Sequence, residues 1–199
     1  TKSFFIMRYL LITTACLLVS VLNAQTKSNP LTKSFDSLLN KEFKAGEPGA
    51  AAIVVKKGEV VYKKGFGMGD MELNVPVQPD MVFRIGSITK QFTAVCILKL
   101  ASEGKLSLQD DIKKYITDYG IKELITIEHL LTHTSGIKSY TNIDTFWQHM
   151  RKDMKPREII RITEKDTLEF KPGTKYNYNN TAFVMLGYII EKISGKTYE

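Results

Sequence analysis

A helix-forming stretch near the middle of the chain constrains the fold more than any other segment. Residues 87–101, SITKQFTAVCILKLA, place apolar side chains on nearly every face of a helix. A helix on a protein surface is apolar along one stripe only. We therefore expect this helix, which Gly104 ends, to be buried at the centre of the protein. Cys96 would then be a buried, unreactive residue.

The segments around this helix predict an α+β fold. Apolar residues recur at helical spacing over residues 31–45, and two β-rich runs over residues 49–67 meet at Lys57-Gly58 as a hairpin. Short helices are predicted in SLQDDIKKYI, TIEHLLTHT and KPREIIRITEK, and a long apolar one in TAFVMLGYIIEKISG. The intervening DTLEFKPGTKYNYNN and the earlier ELNVPVQPDMV are predicted to be loops. The order is one helix, a hairpin, then several helices.

The first 25 residues are typical of an export signal. Arg8 precedes an uncharged run from Tyr9 to Gln25, and Ala24 is a small residue suited to a cleavage site. The run is short for a membrane span. We predict that residues 1–25 are a signal peptide, or else an N-terminal anchor, and that residues 26–199 form the domain. The protein would be exported, periplasmic or secreted, with Cys96 as its remaining cysteine and no intrachain disulfide.

Three S-x-x-K patterns place a hydroxyl near an amine, at Ser87, Ser102 and Ser135. Only Ser87 begins a long helix, where Lys90 lies one turn further along the same face. The N–H groups and positive potential of a helix N-terminus can stabilise an oxyanion. Partial burial would favour the neutral amine of Lys90, which could accept the serine proton. The alternative is that Ser87 is only a helix cap and Lys90 faces solvent.

Four blocks of the chain carry a family resemblance. They are FRIGSITKQFTA, LASEGKLSLQDDIKKYI, TIEHLLTHTSGI and FKPGTKYNYNNTAFVMLGYIIEKISGKTYE. In this order they resemble the serine β-lactamase-related family, which includes class C β-lactamases, D-alanyl-D-alanine carboxypeptidases and related esterases. The resemblance runs from about residue 31 to the last residue. It implies a β-lactamase/transpeptidase-like fold and a serine hydrolase that acts through an acyl-enzyme on β-lactam, D-Ala-D-Ala peptide or carboxylic ester substrates.

The resemblance also implies the roles of the site residues. Ser87 is the acylated nucleophile, and its N–H is half of the oxyanion hole. Lys90 and Tyr178 handle the protons of the nucleophile and the leaving group, and Asn180 positions Lys90 or the substrate. No metal or organic cofactor is expected. His133 belongs to a block that is structural in the family.

Two Y-x-N patterns compete for the second catalytic element. Tyr178-Asn179-Asn180 follows KPGT and precedes an apolar helix, as in the family, whereas Tyr140-Thr141-Asn142 lacks that context. Tyr176 has a tyrosine, not an asparagine, two positions later. The resemblance therefore points to Tyr178 and Asn180.

The third element of the family, a Lys-Thr-Gly-like or His-x-Gly triplet, is not found. Lys196-Thr197 is followed by Tyr198, Lys171-Pro172-Gly173 precedes Tyr178, and the triplet that begins at His133 ends in serine. We therefore expect an N-terminal portion of the domain, without the C-terminal strands of its antiparallel sheet. The hairpin would expose an edge and an apolar face, and this chain would be a weak catalyst.

Two other classes of function stay open from the residues alone. His129 and His133 have the i, i+4 spacing of a zinc pair on a helix, but only His149 remains as a further histidine and no acidic third ligand stands out. A relative that binds cell-wall peptides or penicillin-like ligands without turnover is the second alternative. The net charge of +7 is scattered, which does not favour a nucleic-acid partner. The expected partner is a small-molecule or peptidoglycan-peptide substrate, with membrane contact only through an uncleaved N-terminal segment.

Overall fold

The computed structural model describes residues 30–147 and 152–198. These form two compact units, with the boundary between Phe83 and Arg84. The predicted signal segment and His149 lie outside the described residues. Within the described ranges, no helix is long and apolar enough to cross a membrane.

The first unit contains one helix and four strands. They are α1 (Pro30–Glu42), β1 (Ala50–Lys56), β2 (Glu59–Phe66), β3 (Met68–Asp70) and β4 (Val75–Pro76). β1 and β2 pair antiparallel around Lys57 and Gly58, whose φ angles of 53° and 83° suit a tight two-residue hairpin turn. The predicted hairpin is confirmed. β4 lies within the segment ELNVPVQPDMV, which is predicted to be a loop, and β3 lies just before this segment.

The two faces of the β1–β2 hairpin differ in their environment. Tyr62 is buried, and its hydroxyl donates a hydrogen bond of 2.6 Å to Asp36 on α1. Ile53, Val55 and Val60 are each more than half exposed. The hairpin therefore has the exposed apolar face that the sequence predicts.

The second unit is helical and is built around its last helix. A 3₁₀ turn (Gly86–Ile88) leads into α2 (Thr89–Ser102), followed by α3 (Ile127–Leu131), α4 (Asp144–Trp147), α5 (Pro156–Thr163) and α6 (Asn180–Ser194). α6 contacts α2, α3 and α5. The core between these helices includes Ile97, Leu130, Ile160, Met185 and Ile189, all fully buried. α6 ends at Gly195, the last residue of the segment predicted to be a helix, and this glycine adopts a left-handed conformation.

The prediction that α2 is buried on all sides is wrong for one of its faces. Thr93, Ile97 and Leu100 are buried, whereas Phe92 and Val95 are 59% and 63% exposed. Cys96 is also exposed, contrary to expectation. Apolar residues on every side of a helix predict burial, but they do not show which faces neighbouring residues cover. The described residues of this unit pack on one side of α2 only.

The predicted helix in SLQDDIKKYI is also wrong, because its aspartates hydrogen-bond the local backbone. Asp110 accepts the Ser107 N–H at 2.8 Å, and Asp111 accepts the Lys113 N–H at 3.0 Å. Side chains of this type compete with helical hydrogen bonds. Only a 3₁₀ turn (Ile112–Lys114) forms, and Asp111 makes a β-bridge with Thr126.

Candidate active site

Ser87 lies in the 3₁₀ turn that leads into α2. The sequence places it in the first turn of the α-helix, but that helix begins two residues later, at Thr89. Gly86 has a φ of 52°, and a Cβ built there would meet no atom within 4 Å. Glycine is therefore favoured at this position by backbone conformation and not by lack of space. The turn leaves the Ser87 side chain exposed, next to the first turn of α2.

Lys90 connects the nucleophile turn to α6. Its Nζ lies 3.4 Å from the Ser87 Oγ and donates a hydrogen bond of 2.7 Å to the Asn180 Oδ1. The same ammonium group lies 4.8 Å from the ring centroid of Tyr178 and 5.5 Å from that of Phe183. Aromatic faces attract a cation at such distances. Lys90 is half-buried in this arrangement, so the interpretation of it as a solvent-facing lysine is wrong.

Tyr178 completes the contacts around the serine oxygen. Its hydroxyl donates a hydrogen bond of 2.6 Å to the Ser87 Oγ. Burial acts to raise the pKa of Tyr178, but the interactions with Lys90 and Ser87 outweigh it and lower the pKa below its usual value. A nearby positive charge favours the phenolate. Tyr178 is thus placed to exchange a proton with Ser87, and Lys90 stabilises the deprotonated form of Tyr178.

Asn180 is held from two sides as the first residue of α6. Its Nδ2 donates to the Thr141 Oγ1 at 3.1 Å, and its backbone N–H donates to the Ser139 Oγ at 3.2 Å. These two hydroxyls are hydrogen-bonded to each other at 2.9 Å. The Asn180 amide is oriented by these bonds so that its oxygen faces Lys90. Nothing in the sequence indicates these roles of Ser139 and Thr141, although Thr141 lies within the competing Tyr140-Thr141-Asn142 pattern.

The structure brings together the four residues that the sequence predicts for the site. Ser87 and Lys90 come from the start of α2, while Tyr178 and Asn180 come from the start of α6 and the loop before it. Their catalytic roles stay predictions. The competing Tyr140-Thr141-Asn142 pattern forms a 3₁₀ turn, and Tyr176 is 68% exposed.

The other two S-x-x-K serines make no such arrangement. The Ser102 hydroxyl donates to the carbonyl of Lys99 in its own helix, and Lys105 pairs with Glu103 at 2.8 Å. Ser135 is only 1% exposed, and its Oγ accepts the N–H of Ile137. Neither hydroxyl is set beside its own lysine as Ser87 is beside Lys90.

The proposed zinc pair does not lie on one helix. His129 is in α3, where its Nδ1 accepts the Thr126 N–H as part of a capping box. α3 ends at Leu131, and His133 follows it with a φ of 60°. The i, i+4 interpretation is therefore wrong. Among residues 30–147 and 152–198, no group of three His, Cys, Asp or Glu side chains is placed to hold a metal ion.

A cavity of about 510 Å³ opens beside Lys90 and Asn180. Its walls include the apolar side chains of Ile159, Phe183 and Val184. Polar and charged side chains also line the cavity, and clefts of this size are typical of small-molecule sites. Two of the four site residues, Lys90 and Asn180, therefore line a space that could accept part of a substrate.

Comparison with known proteins gives consistent matches. A family model described as Beta-lactamase matches residues 35–199. Protein flp of Staphylococcus aureus (strain MRSA252) is 35% identical in an alignment 178 residues long, which covers 86% of this chain and 35% of that protein. Esterase EstB of Burkholderia gladioli is 30% identical in an alignment 190 residues long, which covers 88% of this chain and 47% of the esterase.

A solved structure agrees with this assignment. The octameric penicillin-binding protein homologue from Pyrococcus abyssi is 40% identical, with a TM-score of 0.68, over 84% of this chain and 39% of that one. The chain therefore spans less than half the length of each of these three proteins. The family model covers residues 35–83 of the first unit, all described residues of the second unit and the four site residues. The chain belongs to the serine β-lactamase-related family and has its β-lactamase/transpeptidase-like fold, with helices and a small antiparallel sheet.

Proposed function

We propose that this chain carries the nucleophile and the proton-transfer groups of an exported serine hydrolase that acts through an acyl-enzyme. The observation that carries the proposal is the convergence on the Ser87 Oγ, which lies 2.6 Å from the Tyr178 hydroxyl and 3.4 Å from the Lys90 ammonium. A nucleophile within reach of a base, which is itself oriented by a third group, is the usual signature of covalent catalysis.

In the proposed reaction, the Tyr178 phenolate accepts the proton of Ser87 as the Oγ attacks the substrate carbonyl. Tyr178 then donates this proton to the leaving amine or alcohol as the carbonyl–heteroatom bond breaks, which leaves an acyl-serine. In the second half, Tyr178 takes a proton from water as the water oxygen attacks the acyl carbonyl. It returns this proton to the Ser87 Oγ as the acyl–oxygen bond breaks and the carboxylic acid leaves. Lys90 stays beside Tyr178, held by Asn180, and stabilises the phenolate. The Ser87 N–H donates to the oxyanion as one of its two donors.

The proposed substrates are β-lactams, D-Ala-D-Ala peptides or carboxylic esters. The names of relatives support this range, since one is an esterase and another is a penicillin-binding protein homologue. All three substrates present a carbonyl that a serine can acylate. Export is proposed from the uncharged run after Arg8.

The experiment compares hydrolysis of a chromogenic ester, a chromogenic cephalosporin and a D-Ala-D-Ala peptide by the full protein that carries this sequence. Ser87→Ala should lower kcat/KM for the best substrate by at least about a thousandfold. Ser102→Ala, at an exposed serine of the same S-x-x-K type, is the matched control and should leave the rate unchanged. Equal activity of Ser87→Ala and wild type would overturn the proposal. Reversible binding of all three compounds without turnover would instead support the non-catalytic alternative.

A further inference from the structure

His133 makes a hydrogen bond on each side of Tyr178. The backbone N–H of Asn177 donates to the His133 carbonyl oxygen at 2.9 Å. The backbone N–H of Asn179 donates to the His133 Nδ1 at 3.0 Å. One residue therefore holds the chain immediately before and immediately after Tyr178.

The His133 ring also packs against the Tyr178 ring. The ring centroids are 4.7 Å apart and the planes are inclined by 37°. On α6, the Phe183 ring is 5.0 Å from the imidazole, inclined by 34°. Aromatic pairs at such distances attract each other beyond the burial of their surface. The backbone bonds and the ring contacts together limit where the Tyr178 hydroxyl can lie.

The backbone of His133 is in a conformation that few residues adopt. Its φ of 60° lies in the left-handed region, where histidine is more frequent than most other residues with a side chain. In this conformation its carbonyl oxygen and its Nδ1 both accept hydrogen bonds from the loop before α6. Unfavourable backbone angles persist mainly where the surroundings impose them, often at functional sites.

We propose that His133 is a positioning residue that holds the Tyr178 hydroxyl against Ser87, and that only its neutral form does so. The role rests on the proposed function, since it matters for catalysis only if Tyr178 transfers the proton of Ser87. An Nδ1 that accepts an N–H carries no proton, so the ring proton of neutral His133 is on Nε2. Protonation would turn Nδ1 into a donor facing another donor, and the bond to Asn179 would be lost.

The surroundings of His133 favour its neutral form. The groups that face the ring are Lys90 from α2, Tyr176 and Tyr178 from the loop before α6, and Phe183 from α6. Burial, and after it the positive charge of Lys90, lower the pKa of His133 from its usual 6.5. The imidazole is therefore neutral at pH 7 and becomes protonated only as the pH falls below that lowered pKa. The hydrogen bond from the Asn179 N–H to the His133 Nδ1, which helps to position Tyr178, is lost in the same acid range.

Two substitutions separate the acceptor atom from the aromatic ring. His133→Asn keeps an acceptor near the position of Nδ1, tolerates a positive φ and does not titrate. His133→Phe keeps a ring but leaves the Asn179 N–H without its acceptor. At pH 8 the acylation rate of the full protein should fall about a hundredfold in the Phe variant and by less than about fivefold in the Asn variant, because a small displacement of a reacting group is costly. A Phe variant that acylates at the wild-type rate would overturn the proposal.

The pH profile gives a readout that a merely structural role would not move. Both proteins keep Tyr178, Lys90 and Ser87, so the ratio of their acylation rates cancels the pH dependence that these shared groups contribute. The ratio of wild type to variant should be constant at pH 7.5 and above, and it should fall as the pH drops through the lowered His133 pKa. A ratio that stays flat into the acid range contradicts the requirement for neutral His133. This comparison uses only wild type and His133→Asn, so it tests the proposal even if the Phe variant fails to fold.

Nitrogen NMR of the imidazole tests the geometry independently of any activity. The His133 Nδ1 should have the chemical shift of an unprotonated acceptor at pH 7.5, and the Asn179 amide signal should move as His133 titrates below pH 6.5. A proton on Nδ1 at pH 7.5 would refute the proposal. If no substrate acylates the protein, the proposed function fails, and the NMR result still decides whether neutral His133 holds the loop.

Discussion

Replacing Tyr178 with phenylalanine removes the hydroxyl that the account uses for proton transfer and little else. The hydroxyl lies 2.6 Å from the Ser87 Oγ, while the ring keeps its contact with His133 at 4.7 Å. General acid–base catalysis typically contributes about a hundredfold to ten-thousandfold in rate. This corresponds to about 3–5 kcal/mol of activation free energy. The side chain is 42% exposed, so the free energy of unfolding should change by less than about 0.5 kcal/mol.

The assay is the rate of acyl-enzyme formation, measured as the burst of chromophore released from an activated ester or cephalosporin. We expect Tyr178→Phe to slow the burst by about a hundredfold or more. Tyr176→Phe is the matched control, because this nearby tyrosine is 68% exposed and contacts His133 only edge-on at 5.8 Å. Its burst should match wild type. A Tyr178→Phe variant that acylates within about threefold of wild type would refute the proton-transfer role.

Two further predictions concern stability. Asn179→Ala should lower the free energy of unfolding by about 2–4 kcal/mol, because it removes the cap of α6 and leaves the buried Ile137 carbonyl without its donor. The control is Asn177→Ala at an exposed asparagine, which should lower the free energy of unfolding in urea by less than about 0.5 kcal/mol. Equal losses in the two variants would contradict the reasoning. The Tyr115 hydroxyl first, and then a backbone N–H and a lysine, lower the pKa of Asp110 to about 2. Its ionised form therefore stabilises the fold above the unfolded pKa near 4, and this stabilisation is lost as the pH falls towards 2. Urea unfolding between pH 7 and pH 2.5 should show a shallower acid loss in Asp110→Asn than in wild type, and parallel curves would contradict the assignment.

The parts of the fold and site that local sequence determines could be predicted. Lys57-Gly58 indicates its hairpin because the turn needs two positive φ angles, which Gly58 adopts at no cost. Ser87 and Lys90 could be paired because a helix brings residues three apart onto one face. Gly195 marks the end of α6 for a similarly local reason. Tyr178 and Asn180 needed the family resemblance, because nothing local connects them to Ser87.

The parts that depend on distant contacts could not be predicted. Ser139 and Thr141 orient Asn180 only because the loop after α3 folds back on the start of α6. The positioning role of His133 does not show in the sequence, because its contacts with the loop around Tyr178 span more than forty residues of chain. The exposed position of Cys96 was missed because an apolar helix does not show in its sequence which faces are covered.

The most direct test of the central claim is to locate the acyl group on the protein. The full protein is incubated with a slowly released β-lactam or an activated ester, quenched, digested with trypsin and analysed by mass spectrometry. Cleavage after Arg84 and Lys90 isolates the peptide IGSITK, in which Ser87 is the only serine. We expect the acyl mass on Ser87 of this peptide, and its loss in Ser87→Ala. An adduct on any other residue, with IGSITK unmodified, would contradict the assignment of Ser87 as the nucleophile.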